Sequence, residues 1–258
     1  MTNRTVLISG AAAGIGRSIS EAFIAEGAQV HICDSSAEAI ADFLKANPKA
    51  TATQADVANT DDVDRVFTEF SNNYAQLDIL VNNAGISGPA AAVENVAPDD
   101  WDHCIAVNLS GAFYMTHRAV PLIKQSGGGS IINMSSSAGL FGTPMRSPYA
   151  ASKWGLIGLT KTWAMELGPH NIRVNAVCPG CVSGPRIDGV IERDAKERGV
   201  SPQEIRDVYQ RQSSMRTFVS AEEIAATVLF LASAKAAKIS GQALSVDGHT
   251  ETLANWLD

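Results

Sequence analysis

The stretch Ser9-Gly10-Ala11-Ala12-Ala13-Gly14-Ile15-Gly16 decides how this chain is read. It follows Val6-Leu7-Ile8, a short apolar run of strand character, and leads into a helical pattern over Ile15–Glu26. Each glycine has a steric purpose at such a turn. Gly10 allows a tight turn, Gly14 lets a pyrophosphate approach the backbone, and Gly16 lets the helix pack close to the strand. The helix N-terminus then offers free N–H groups and the positive end of its dipole to phosphates. Gly10, Ala13, Gly14, Ile15 and Gly16 are therefore the candidate phosphate-binding surface.

Moving outward, the second strand, Gln29–Cys33, ends in Asp34, 18 residues after Gly16. A carboxylate there can accept hydrogen bonds from both adenosine ribose hydroxyls and would repel a 2′-phosphate. Ser35 and Ser36 follow, and no adjacent basic residue could hold that phosphate. A close like-charge contact costs ~1–3 kcal/mol, so NAD is expected rather than NADP. The third strand, near Thr51–Ala55, ends in Asp56-Val57, a candidate contact for the adenine amino group.

Further strands are expected at Ile79–Asn82, Ser130–Met134, Arg173–Val177 and Ala243–Val246. Helical patterns cover Ala37–Ala46, Asp61–Asn73, one long element from Asp99 to Gln125, Tyr149–Leu167, a charged stretch from Ile187 to Gln212, and Ala221–Ala232. Gly127-Gly128-Gly129 stops the long helix. Strands alternating with such helices indicate right-handed βαβ units and an open, doubly wound parallel sheet. One α/β domain over residues 1–258 is the economical organisation, with ligands at the carboxyl ends of the strands.

Composition narrows the partners. The chain has 258 residues, of which 45% are hydrophobic and 18% charged. That charged share is below the usual ~25%, and the whole fits a well-cored domain rather than a disordered one. The net charge of −7 comes with scattered basic residues, so neither nucleic acid nor an anionic membrane is expected as a partner. No apolar run reaches the length of a membrane span. Met1-Thr2-Asn3-Arg4 passes straight into the first strand, so no signal peptide is expected. The cysteines are Cys33, Cys104, Cys178 and Cys181, too few and too spread for a disulfide framework, and a cytoplasmic chain is expected. Cys178-Pro179-Gly180-Cys181 matches CxxC, but no second pair completes a zinc site and the histidines lack ligand spacing, so no metal is expected. No GxSxG elbow or Walker A motif points to a hydrolase or an NTPase.

In six segments the chain resembles the short-chain dehydrogenase/reductase family. These are Gly10-Ala-Ala-Ala-Gly14-Ile-Gly16, Asn82-Asn83-Ala84-Gly85, Asn108, Ser136, Tyr149-Ala-Ala-Ser-Lys153 and Pro179-Gly180. The match runs almost the full length. It implies a Rossmann-type sheet of seven parallel strands in the order 3-2-1-4-5-6-7, a nicotinamide cofactor, reversible alcohol–carbonyl chemistry and a homotetramer. It also implies the roles. Tyr149 is the acid/base and Lys153 tunes it while holding the nicotinamide ribose. Ser136 orients the substrate oxygen, and Asn108 holds a water in a proton path. Asn83 and Gly85 pass close to the adenosine side, and Pro179, Gly180, Val182 and Ser183 lie at the nicotinamide pocket.

The residues give that chemistry a physical basis. Tyr149 and Lys153 are i and i+4 and share a helix face. A tyrosine is a poor base at neutral pH, and an ammonium one turn away favours its phenolate. Ser135 and Ser137 flank Ser136, so the choice among three serines rests on the resemblance. The family often carries a threonine just before Pro185, where this chain has Gly184. Either Ser183 or the Val182 backbone has to take over that contact to the nicotinamide amide.

The resemblance also places a substrate lid over about 185–216. Arg186 lies six residues past Gly180. It either pairs with Asp188 or Glu192, the more ordinary role for an arginine at a helix start, or clamps an anionic substrate. Arg146, three residues before Tyr149, carries the same alternatives. The expected substrate is a small polar secondary alcohol or ketone such as a sugar, polyol or hydroxy acid. One alternative is a 3-oxoacyl thioester reductase, a type that typically uses NADPH, and the other is a non-catalytic NAD-binding regulator. The regulator reading would require loss of a catalytic residue, and all four are present.

Overall fold

In a computed structural model, described over residues 1–254 apart from the side chain at position 197, the chain forms one α/β domain around a seven-stranded sheet. Residues 255–258, which the expected domain included, lie outside the described residues. The elements in order are β1 (Thr5–Ser9), α1 (Gly14–Ala25), β2 (Gln29–Asp34), α2 (Ala37–Ala46), β3 (Thr51–Gln54) and α3 (Thr60–Asn73). They continue with β4 (Ile79–Asn82), α4 (Pro98–Ile105), α5 (Gly111–Gln125), β5 (Gly129–Met134), α6 (Ser147–Leu167) and β6 (Ile172–Pro179). The last are α7 (Pro185–Arg198), α8 (Pro202–Arg211), α9 (Ala221–Ala232) and β7 (Ala243–Val246). The strand order is β3-β2-β1-β4-β5-β6-β7, with every neighbouring pair parallel.

The sheet is covered on both faces, so its central strands are apolar in near-continuous runs and every residue of β1 and β4 is buried. Alternation still sorts the side chains. Val6 and Ile8 point to a core shared with Phe23, Ile224 and Val228, whereas Leu7 points to the opposite one with Phe70, Leu80, Met115 and Trp163. Between β4 and β5 runs a buried polar row. Asn82 donates to Thr116 Oγ1 (2.9 Å) and to Asn133 Oδ1 (2.8 Å), and Asn133 donates to Thr160 Oγ1 (2.9 Å).

Two expected helices are divided. The element from Asp99 to Gln125 is α4, a π turn at Ala106–Ser110, and α5. The widened turn carries Asn108, whose buried side chain accepts from Ile86 N–H (2.8 Å) and donates to Ile86 O (2.9 Å). That side-chain grip on the segment after β4 accompanies the wider turn; such single-turn π insertions recur at functional sites. The charged stretch from Ile187 to Gln212 is α7 and α8. Gly199 ends the first in the left-handed region (φ 68°), and Ser201 with Glu204 opens the second as a capping box. Asp188 of α7 and Arg206 of α8 then join the two helices at 2.5 Å. Among the described residues no helix is long and apolar enough to cross a membrane.

Candidate active site

A cavity of about 1160 Å³ opens along the carboxyl ends of the strands, the position expected for a doubly wound sheet. It extends from the glycine turn past Asp34 and Asp56 to Tyr149 and Lys153, and on to the start of α7.

The glycine turn is held by its own backbone. Gly10 has φ +60°, and a Cβ there would lie 2.6 Å from Ala84 Cα. A Cβ on Gly16 would lie 2.2 Å from Gly10 O, so helix and turn touch backbone to backbone. Asn83 props this arrangement, donating from Nδ2 to Gly10 O (2.6 Å) and from its main chain to Ser9 Oγ (3.1 Å). Gly14 differs: its φ is +54°, but a Cβ there would meet nothing within 4 Å. The space over Gly14 is open cavity. Ala13 caps α1 without a side-chain hydrogen bond, leaving the first helical N–H groups to a ligand. These features fit a pyrophosphate.

Asp34 Oδ2 accepts from Ala12 N–H (3.0 Å) and Oδ1 from Ser36 N–H (3.1 Å). Each oxygen keeps a second acceptor site for a ribose hydroxyl. The basic side chain near this end, Arg17, is taken by Glu21 (2.8 Å) and Asp42 (2.7 Å). Asp56 Oδ1 accepts from Ala58 N–H (2.9 Å), and Val57 packs where a Cβ on Gly111 would come within 2.7 Å.

At the other end, α6 presents Tyr149 and Lys153 one turn apart. Lys153 Nζ sits 5.6 Å from the Tyr149 ring centroid and donates to Met134 O (2.8 Å). Lys153 is 4% exposed, and burial pushes its pKa below the usual lysine value, with Arg186 adding to the effect and Tyr149 opposing it. Gly85 faces Asn108 Oδ1 and Lys153 Nζ at 3.2 and 3.4 Å from where its Cβ would be. Both N–H groups of the Asn108 amide are taken, by Ile86 O and by Ser152 Oγ (3.1 Å).

The three serines separate. Ser135 Oγ donates to Lys153 O (2.9 Å), tying β5 to α6. Ser137 is buried. Ser136 Oγ accepts from Ala138 N–H (3.2 Å), which leaves its hydroxyl proton to be donated into the cavity. Gly180 lies where a Cβ would meet Asp247 Cβ at 2.8 Å. Val182 bridges to Val219 through its neighbours, with Val219 N–H on Cys181 O (3.0 Å) and Ser183 N–H on Val219 O (2.9 Å). In a parallel bridge this turns the N–H and C=O of Val182 itself to the other side.

Cys178 and Cys181 are free thiols, each pushed up to about 11 by burial, so neither is poised as a thiolate. No group of three or more His, Cys, Asp or Glu side chains suited to a metal converges among the described residues. Arg186 lines the cavity and has no acidic partner among the described residues, because Asp188 is paired with Arg206. Arg146 lines it too and donates to Ser87 O (3.2 Å). Sequence reading missed Tyr209 and Asp194, 3.4 Å apart on the same wall, because their meeting requires the fold-back of α8 on α7.

Residues 10–249 match the family model described as enoyl-(acyl carrier protein) reductase. The chain is 38% identical to 3-oxoacyl-(acyl-carrier-protein) reductase FabG of Thermotoga maritima, covering 96% of this chain and 98% of the relative. It is 32% identical to the D-beta-hydroxybutyrate dehydrogenase of Rhizobium meliloti, covering 95% and 97%. Among solved structures it superposes on actinorhodin polyketide ketoreductase with NADPH at a TM-score of 0.92 and 31% identity, over 99% of this chain and 100% of that one. NAD+-bound xylitol dehydrogenase superposes at 0.89 and 27% identity, over 95% and 98%. With a glycine turn built for a dinucleotide and a buried lysine beside a tyrosine on one wall, the chain belongs to the short-chain dehydrogenase/reductase family, oxidoreductases acting on alcohol and carbonyl groups.

Proposed function

We propose that this enzyme is an NAD(H)-dependent dehydrogenase interconverting a secondary alcohol and its ketone on a small polar substrate such as a sugar, polyol or hydroxy acid. The observation that carries the reading is the triangle at the catalytic end: Tyr149 above a buried Lys153, with the Ser136 hydroxyl free to donate. Tyr149 takes the hydroxyl proton of the alcohol, or returns it to the ketone oxygen. Lys153, fixed by Met134 O, keeps a positive charge beside the phenol that favours its ionised form. Ser136 orients the substrate oxygen. A bound nicotinamide ring supplies the hydride acceptor or donor.

Gly10, Ala13, Gly14, Ile15 and Gly16 would hold the pyrophosphate, Asp34 the adenosine ribose, and Asp56, Val57 and Asn83 the adenine side. Gly85, expected there too, lies instead against Lys153, where its Cβ would be 3.4 Å from Nζ, and would face the nicotinamide ribose. Lys153 would hold the nicotinamide ribose. The main chain of Val182, with Pro179, Gly180 and Ser183, would hold the nicotinamide amide in place of the missing threonine. Asp34 favours NAD, since the nearby Arg17 is spent on two carboxylates. A proton path through Asn108 has to use a group other than its amide nitrogen. The lid is α7 and α8, and a tetramer is the assembly expected from the family.

The identity to a 3-oxoacyl-(acyl-carrier-protein) reductase favours a second reading, reduction of a 3-oxoacyl thioester. Acetoacetyl-CoA assayed with NADPH and with NADH separates the two. For the main reading, Tyr149→Phe should lower single-turnover hydride transfer by about 10²–10⁴-fold, the range for a general acid/base. A fluorescence titration should show NADH bound within about twofold of wild type. Near-normal turnover would overturn the mechanism.

A further inference from the structure

The charges that line the cavity are sorted by position. Asp34 and Asp56 stand at the adenosine end, and Arg146, Lys153 and Arg186 at the catalytic end. The acid among the lining residues at that end, Asp194, is held by Arg198 at 3.4 Å and by Tyr209. Arg146 and Arg186 come from separate elements, the residue before α6 and the first turn of α7, 40 positions apart in the chain. Neither forms an ion pair among the described residues. Arg146 spends one N–H on Ser87 O. The acid in the first turn of α7, Asp188, is turned onto Arg206, and α7 itself starts at Gly184 with no side-chain cap. Arg186 lies near enough to Lys153 to hold its ammonium pKa down further.

Arg146, Lys153 and Arg186 repel one another in one cleft, and among the described residues no carboxylate pairs with either arginine. The chain has a net charge of −7, yet the acid on this wall, Asp194, is engaged by Arg198 and Tyr209 rather than by either arginine. A guanidinium presents two parallel N–H groups that match a planar or trigonal oxyanion. The geometry points to a hydroxy or oxo acid as substrate, its carboxylate or sulfonate gripped between Arg146 and Arg186 while its alcohol carbon faces Tyr149 and Ser136. This rests on the alcohol–ketone chemistry proposed for the same site. It makes Arg186 the residue through which α7, whose first turn lines the cavity, meets the charge of the substrate.

The test separates the grip from the chemistry. Enzyme saturated with NADH is titrated by calorimetry with propanoate, propanesulfonate and neutral propanamide, none of which can be reduced by hydride here. The anions should bind at least tenfold more tightly than propanamide. Arg186→Ala, at an exposed position, should weaken the anions about tenfold or more and leave propanamide and the NADH fluorescence titration unchanged. Arg186→Lys, which keeps the charge and loses the fork, should fall between. Acetoacetate and methyl acetoacetate are then compared as ketones, with the acid favoured in kcat/KM and the preference lost in Arg186→Ala and Arg146→Ala. Equal binding of propanamide and the anions, or variants that lose all three probes alike, would overturn the grip. Arginine-dependent anion binding with no ketone reduced would leave the grip standing and overturn the alcohol–ketone reading instead.

Discussion

Two helix N-termini face the same cavity, α1 at the glycine turn and α7 after β6, and neither has a side-chain cap. They are built in opposite ways. At α1 the main chain makes the site: Gly10, Gly16 and Ala84 touch backbone to backbone, and the propping amide of Asn83 binds a carbonyl. At α7 it is a side chain that is offered to the cavity: Arg186 has no ion pair among the described residues, because Arg206 has taken Asp188. A phosphate common to every dinucleotide can be met by unchanging backbone groups. A substrate that differs from one relative to the next is met by side chains, which change by single substitutions.

The contrast can be broken most severely at Gly16. Gly16→Ala places a Cβ against Gly10 O and Asn83 Nδ2, and should cost about 3 kcal/mol or more of stability. Its thermal midpoint should fall by roughly 6–12 °C at the scale usual for a domain of this size. Gly14→Ala, whose Cβ meets only open cavity, should cost about 1–2 kcal/mol from its positive φ. It should weaken NADH more than tenfold in a fluorescence titration. If the two variants melted alike, backbone contact at Gly16 would not be what holds the turn.

The next largest effect lies at the ribose. Asp34→Ser combined with Ser35→Arg removes a repulsive carboxylate and adds a partner for a 2′-phosphate. The ratio of kcat/KM for NADP over NAD should rise by about ten- to a hundredfold, corresponding to ~1–3 kcal/mol. A wild-type enzyme that already prefers NADP would remove the argument. The smallest effect is expected at Cys181. Its thiol is raised to about 11 and contacts Gln212 (3.9 Å). Cys181→Ser should change kcat/KM by less than about twofold, and iodoacetamide at pH 8 should react slowly with the wild-type enzyme, since the thiolate is the reactive form.

Much of the glycine turn and the sheet around it was legible because the constraints there are steric and local. Three glycines, a strand before them and Asp34 at the next strand end needed no knowledge of distant contacts, and the parallel order of the sheet followed from the alternation of elements and the family resemblance. Gly199 and the Ser201–Glu204 capping box were also readable signals, but the stretch from Ile187 to Gln212 was read only as charged and helical, without its internal boundary. The π turn around Asn108 had no local mark, since it accompanies a hydrogen-bond pair to Ile86, 22 residues away. The fate of Arg186 was settled by Arg206, which the reading from spacing alone did not connect to Asp188. Ser136 could be told from Ser135 only once Lys153 O was seen to occupy the latter.

The polar row through Thr116, Asn82, Asn133 and Thr160 bears on how the chain finds its sheet. Asn82 and Asn133 are register partners between β4 and β5. A pair of strands made of Ile, Leu and Val alone can slide by two residues and keep its faces apolar. Here such a slide would part the two amides in the dry interior, and each unsatisfied polar group costs about 1–3 kcal/mol. The row thus acts as an alignment key, penalising the mispaired sheet rather than strengthening the correct one. Ser136 follows β5 by two residues, so the same key fixes how far that hydroxyl reaches beyond the sheet.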